Sequence, residues 1–227
     1  MQYQILYRPS YAVAKVDLEA NEQIRAEPGA MVAMSPNLKL ESKMQGGLLS
    51  ALGRSMLGGE SMFQSTYTAE GKGGEILLAP AAPGDIMGIT LNNQSYCVQS
   101  GSYLAGSSAL QMDTKFAGAR SFFAGEGAFM LKLQGTGLLL LSSFGAIHKV
   151  VLAAGEEYIV DSGHIVAFEA SVTYELQKAA RGILATVTSG EGIVCRYKGP
   201  GEIYLQTRNI NAFVASITPL LPKPSPR

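Results

Sequence analysis

The chain has 227 residues with 18 basic and 18 acidic side chains, 47% hydrophobic and 16% charged residues, 26 glycines, two histidines and no tryptophan. A formal charge of zero argues against a dedicated nucleic-acid clamp, which needs a basic excess or a clustered basic face. The low charge and ample apolar fraction exclude an intrinsically disordered chain, and the length accommodates one large β domain or two to three small units.

The opening segment Met1-Gln2-Tyr3-Gln4-Ile5-Leu6-Tyr7-Arg8 lacks a basic n-region and the apolar stretch of about 7 to 15 residues of a secretory leader. No apolar run approaches the roughly 18 to 20 residues that span a bilayer, so a soluble, cytoplasmic protein is expected. In 24–33 an apolar run enters the corner Glu27-Pro28-Gly29 and a second apolar run leaves it, which predicts strand, turn, strand. Leu38-Lys39-Leu40-Glu41 alternates as a half-buried strand does. The insertion 45–58 has a different character: Leu48, Leu52 and Met56 share one helical face, Leu49 and Leu57 lie beside it, and glycines bracket the segment. It reads as a short helix capping a sheet or, functionally, as an apolar flap that touches a protein partner or a membrane surface.

Gly59-Glu60-Ser61-Met62-Phe63 and Gly73-Gly74-Glu75-Ile76-Leu77-Leu78 follow, and then all three signals return in order. The corner recurs in 96–105 and 158–167, the second signal as Gly125-Glu126-Gly127-Ala128-Phe129 and Gly190-Glu191-Gly192-Ile193-Val194, and the third at Gly135-Thr136-Gly137 and Gly199-Pro200-Gly201. Three motifs repeated in register at spacings of about 62 to 73 residues predict an all-β chain of three tandem antiparallel units, 1–84, 85–146 and 147–221. Gly29, Gly101 and Gly163 are expected at positive φ in the corners. Hairpin turns account for Gly71-Lys72-Gly73-Gly74 and Gly135-Thr136-Gly137, since no phosphate-loop pattern accompanies them. Val172-Thr173-Tyr174-Glu175-Leu176 predicts a late strand. Ile210, Phe213, Val214 and Ile217 recur at helical spacing, so a short closing helix ends at Pro219, with a mobile tail at 222–227.

Chemistry-bearing patterns are sparse. Cys97 and Cys195 stand alone and read as buried reduced thiols. His148 and His164 are too few for a cupin-type metal site, and the five-residue offset of His164 and Glu169 puts them on opposite faces of a regular strand. No nucleophile elbow occurs, so no catalytic residue, cofactor or metal is expected. The repeated Glu60, Glu126 and Glu191 either accept hydrogen bonds at strand ends or between units, or line a shared ligand site. Gln206 and Arg208, just before the closing helix, join them as candidate ligand or inter-unit contacts, and Asn209 is placed to cap that helix.

Taken together, Ala124-Gly125-Glu126-Gly127-Ala128-Phe129, Ser142-Ser143-Phe144-Gly145-Ala146-Ile147, 161–168 and Tyr204-Leu205-Gln206-Thr207-Arg208-Asn209 resemble the altered-inheritance-of-mitochondria family, number twenty-four, a former domain of unknown function. Pro83-Gly84-Asp85-Ile86 and Gly58-Gly59-Glu60 extend the resemblance over nearly the whole chain. It implies three TRAP-like β units of the sandwich or double-stranded β-helix kind, similar to the tryptophan RNA-binding attenuation protein, and a homotrimer whose nine units close a ring. RNA binding does not carry over, because Arg196 and Lys198 are the closest approach to a basic cluster in the third unit. A link to mitochondrial membrane organisation does not carry over by default either, since no transit peptide is visible. The expected function is a non-enzymatic, homo-oligomeric β ring acting as scaffold or ligand-binding platform. The alternative is a peripheral membrane-organising protein that uses 48–57 and the closing helix.

Overall fold

The computed structural model describes residues 1–44, 63–113, 129–178 and 193–222. Most of them lie in antiparallel strands. The first third contains β1 (Gln2–Leu6), β2 (Val13–Leu18), β3 (Gln23–Ala26), β4 (Met31–Met34), β5 (Leu38–Met44), β6 (Phe63–Ala69) and β7 (Gly74–Leu78). Alternation sets the faces: Ala14, Val16 and Leu18 of β2 are buried, while Lys15 points outward and pairs with Glu75 of β7 at 2.7 Å.

Two long strands dominate the middle, β8 (Ile86–Gln99) and β11 (Met130–Ser142), with β9 (Tyr103–Ser107) and β10 (Gln111–Asp113) between them. The glycines Gly135 and Gly137, predicted to form a hairpin turn, instead sit inside β11 at φ 125° and 150°, where the register against β8 shifts. This is a β-bulge. Its two strands stay paired on either side, so the ladder continues past the bulge, and the partner strand answers with Asn93 at φ 55°.

The last third holds β12 (Ile147–Leu152), β13 (Glu157–Asp161), β14 (Ile165–Glu169), β15 (Thr173–Lys178), β16 (Ile193–Lys198), β17 (Gly201–Gln206) and one helix, α1 (Ile210–Ile217), which tightens to a 3-10 turn at Thr218–Leu220. The corner glycines depart in part from expectation. Gly29 has φ 85°, but Gly101 and Gly163 lie in 3-10 turns, Ser100–Ser102 and Ser162–His164, and neither has a positive φ. Gly163 is required for a different reason, because a Cβ there would meet the Asn209 Nδ2 at 1.9 Å.

Four pairings occur in the same order along the chain. β2 pairs with β7, the first half of β8 with the second half of β11, and β12 with β17; β3 pairs with β6, the remaining halves of β8 and β11 with each other, and β13 with β16. β4, β9 and β14 then flank β7, β11 and β17, while β5, β10 and β15 flank β6, β11 and β16. Two further ladders join the thirds: β3 to β9 and β8 to β14. The four-stranded sheet ends at β4 and the three-stranded sheet ends at β13.

Three apolar clusters fill the layers, and they cross the sequence boundaries. Val16, Ile24, Ile76 and Leu78 pack with Ile86, Leu104 and Leu140. Cys97 and Met130 pack with Phe168, Cys195, Tyr197 and Ile203. Both cysteines are free and buried, and burial pushes each thiol up to about 11.

Burial likewise raises Tyr67, Tyr96, Tyr103, Tyr174, Tyr197 and Tyr204, with Tyr96 pushed up to about 12. An unfolded chain ionises these phenols near their ordinary value of about 10, whereas the folded chain keeps them protonated. Stability is therefore full below about pH 10 and drains as pH rises above it. Titration followed by circular dichroism and tyrosinate absorbance should show the buried phenols ionising together with unfolding; complete ionisation with the sheet signal intact would contradict it.

Candidate functional site

The segments that link the thirds run side by side. Gly84 and Gly145 form a parallel bridge, with Asp85 N donating to Gly145 O at 2.9 Å and Gly145 N to Pro83 O at 3.1 Å. Thr207 N donates to Ala146 O at 3.0 Å and Arg208 N to Phe144 O at 3.2 Å. Asp85 is buried beneath this junction. Its carboxylate accepts from Arg8 Nε and Nη2 at 2.8 and 2.7 Å and from Ile86 N at 2.9 Å, and that hydrogen bonding raises the Arg8 pKa.

Gln206, a predicted candidate, is a clamp. Its Oε1 accepts from Phe144 N and its Nε2 donates to Gly163 O, both at 2.9 Å, so both ends of the amide are engaged within the chain. Its backbone carbonyl faces His164 Nδ1 at 2.8 Å, which leaves Nε2 as the other ring nitrogen. Arg208, the second candidate, is exposed and donates from Nη1 to Thr207 O at 2.9 Å, with no carboxylate in ion-pair range among the described residues. Asn209 caps α1, its side chain accepting from Asn211 N and Ala212 N.

Arg208 and Asn209 border an open cavity of about 530 Å³, walled also by Pro83, Phe144, His164, Ala212 and Phe213. Phe144 and Phe213 meet at 5.4 Å between ring centroids. The helical stripe Ile210, Phe213, Val214 and Ile217, whose spacing implies a buried face, is exposed instead.

The other candidates fall elsewhere. Glu60, Glu126, Glu191, Leu48, Leu49, Leu52, Met56 and Leu57 lie outside the described residues. His148 is exposed on β12, opposite Leu205 of β17. Glu169 is engaged with Tyr96 OH at 3.3 Å and Glu202 N at 3.0 Å. Among the described residues no group of three or more histidine, cysteine, aspartate or glutamate side chains could hold a metal. Burial pushes Glu202 up, but hydrogen bonds from Lys149, at 2.5 Å, and from Tyr204 outweigh it and hold the carboxyl below its ordinary value. The Arg8–Asp85 pair was missed by sequence reasoning; 77 residues separate its members and no local pattern announces it.

The fold and junction define an all-β protein of antiparallel sheets closed by one short helix. The chain belongs to the family described as Mitochondrial biogenesis AIM24, which it matches over residues 3–208. It is 32% identical over 233 residues to an uncharacterised protein of Streptococcus pyogenes, spanning 99% of this chain and 93% of that one. It is also similar to a structural-genomics crystal structure of a Streptococcus pyogenes protein, with a TM-score of 0.81 and 30% identity over 97% of this chain and 99% of that one. No helix among the described residues is long and apolar enough to cross a membrane.

Proposed function

We propose that the protein is a non-enzymatic, homo-oligomeric β ring, three equivalent units per chain, that serves as a scaffold or ligand-binding platform. The observation that carries this reading is the pair of unmatched strands at the ends of two sheets. β3 pairs with β9 and β8 with β14, so the next step of the same series joins β13 to β4 of a second copy. Motif alignment gives the register: Ala26 faces Ala105 and Val98 faces Ala167, hence Val160 faces Ala33 of the neighbouring copy and Ile159 faces Met34.

Exposure supports this reading. Cys97 and Phe168, which face each other in β8 and β14, are 6% and 1% exposed, whereas their counterparts Ile159 and Met34 are 54% and 36% exposed. β4 reads Met31-Val32-Ala33-Met34, an edge without the charge or proline that shields a solvent-facing strand. A head-to-tail contact of this kind closes a ring rather than a two-fold dimer, and the family resemblance supplies three as the number of chains. The platform reading draws on the junction, where Gln206 and Asp85 carry structural bonds while the neighbouring cavity stays open. Native mass spectrometry should give three times the 24.0 kDa chain; a species of one chain at micromolar protein overturns the ring.

A further inference from the structure

We infer that the cavity between the connectors and α1 binds a small amphiphilic anion, an anionic head held by Arg208 beside His164 and an apolar body laid against Phe144 and Phe213. The inference deepens the ligand-binding half of the reading above and does not depend on ring closure.

The cavity, at about 530 Å³, lies within the size range of small-molecule sites, roughly 300 to 1,000 Å³, which combine mostly apolar walls with a few convergent polar groups. Its charge is one-sided. Arg208 lines it and no aspartate or glutamate does. Elsewhere in the described residues arginines are engaged: Arg8 with Asp85, Arg196 with Glu157, and Arg25 with the carbonyls of Ser108 and Leu110. Arg208 donates only to the adjacent Thr207 carbonyl, through Nη1, which leaves Nε and Nη2 to form a fork on a carboxylate or phosphate ester. His164 donates from Nδ1 to the Gln206 carbonyl, so Nε2 of the neutral ring is an acceptor and the anion's charge rests on the Arg208 fork. The aromatic pair, with Pro83 and Ala212, offers apolar surface but no second anion site, which favours one charged head on one hydrocarbon body over a polyanion.

Calorimetric titration of the full chain with octanoate and with octyl phosphate, both below their micelle concentrations, tests this. Saturable binding of one molecule per chain is expected for at least one of them, and the stronger of the two identifies the head. Octanol and inorganic phosphate, each carrying half of the chemistry, should bind at least about tenfold more weakly. Arg208→Gln, on an exposed side chain, should weaken binding about tenfold, and Phe213→Ala should weaken it while leaving the sheet signal unchanged. Unchanged affinity in Arg208→Gln overturns the assignment, as does the absence of saturable heat with either amphiphile. Flotation with phosphatidylglycerol vesicles in a protein that ignores both amphiphiles overturns it in favour of a membrane surface. Native mass measured on the same samples separates this failure from failure of the ring, since a one-chain species that still binds octanoate leaves the cavity assignment standing.

Discussion

A chain carrying Met34→Cys and Ile159→Cys should oxidise to a covalently closed set of three copies, visible on a non-reducing gel as a ladder ending at the trimer. The expectation follows from register. Directly opposed residues of an antiparallel pair have Cβ atoms about 4.5 to 5.5 Å apart, near disulfide range, whereas a slip of one residue turns the two side chains to opposite faces of the sheet. Met34→Cys combined with Tyr158→Cys should therefore stay uncrosslinked under the same oxidant. Background reaction is low because Cys97 and Cys195 are both buried. The complementary variant, Ile159→Glu, places a carboxylate in the centre of the proposed contact and should return the protein to a single 24.0 kDa species. Equal crosslinking in both cysteine pairs would mean that the edges collide without a fixed register, and none in either would mean that they do not meet.

Gly84→Ala should destabilise the chain by at least about 3 kcal/mol, read as a lower urea midpoint. A Cβ at this position would lie 1.7 Å from Ser143 O and 2.8 Å from its carbonyl carbon, and both are backbone atoms that cannot rotate away. Relief requires separating the two connectors, which breaks the bonds between Asp85 and Gly145 and between Gly145 and Pro83 and loosens the seat of the Asp85 carboxylate. Gly71→Ala is the control. Gly71 has φ 66° and open space around it, so an added methyl costs only the backbone preference, about 1 to 2 kcal/mol. Similar losses for the two would show that the junction yields more easily than its hydrogen bonds imply.

The all-β class and the closing helix were legible because alternation and helical spacing are written in adjacent residues. Val172 to Leu176 and Ile210 to Ile217 each declare their period within one or two turns of chain. What covers a face is not written there, and the α1 stripe meets solvent although its spacing is that of a core helix. Glycine was ambiguous for a related reason: Gly137 serves a bulge and Gly163 a close approach by Asn209, uses that look the same in sequence as a turn. The junction was least legible. Arg8, Asp85, Phe144 and Gln206 come together only through the sheet topology, with no spacing that could foretell it.

The continuity of β8 and β11 sets how this chain can be divided. Both strands run through the middle of one ten-stranded sheet that takes in strands from every third of the chain, and Ile86, Leu104 and Leu140 complete a core begun by Val16 and Ile76. Cutting at 84 or 146 strips a hydrophobic layer from both fragments, so the thirds are not separable modules. The molecule should melt as one cooperative body, and a circular assembly built from it grows only by whole chains.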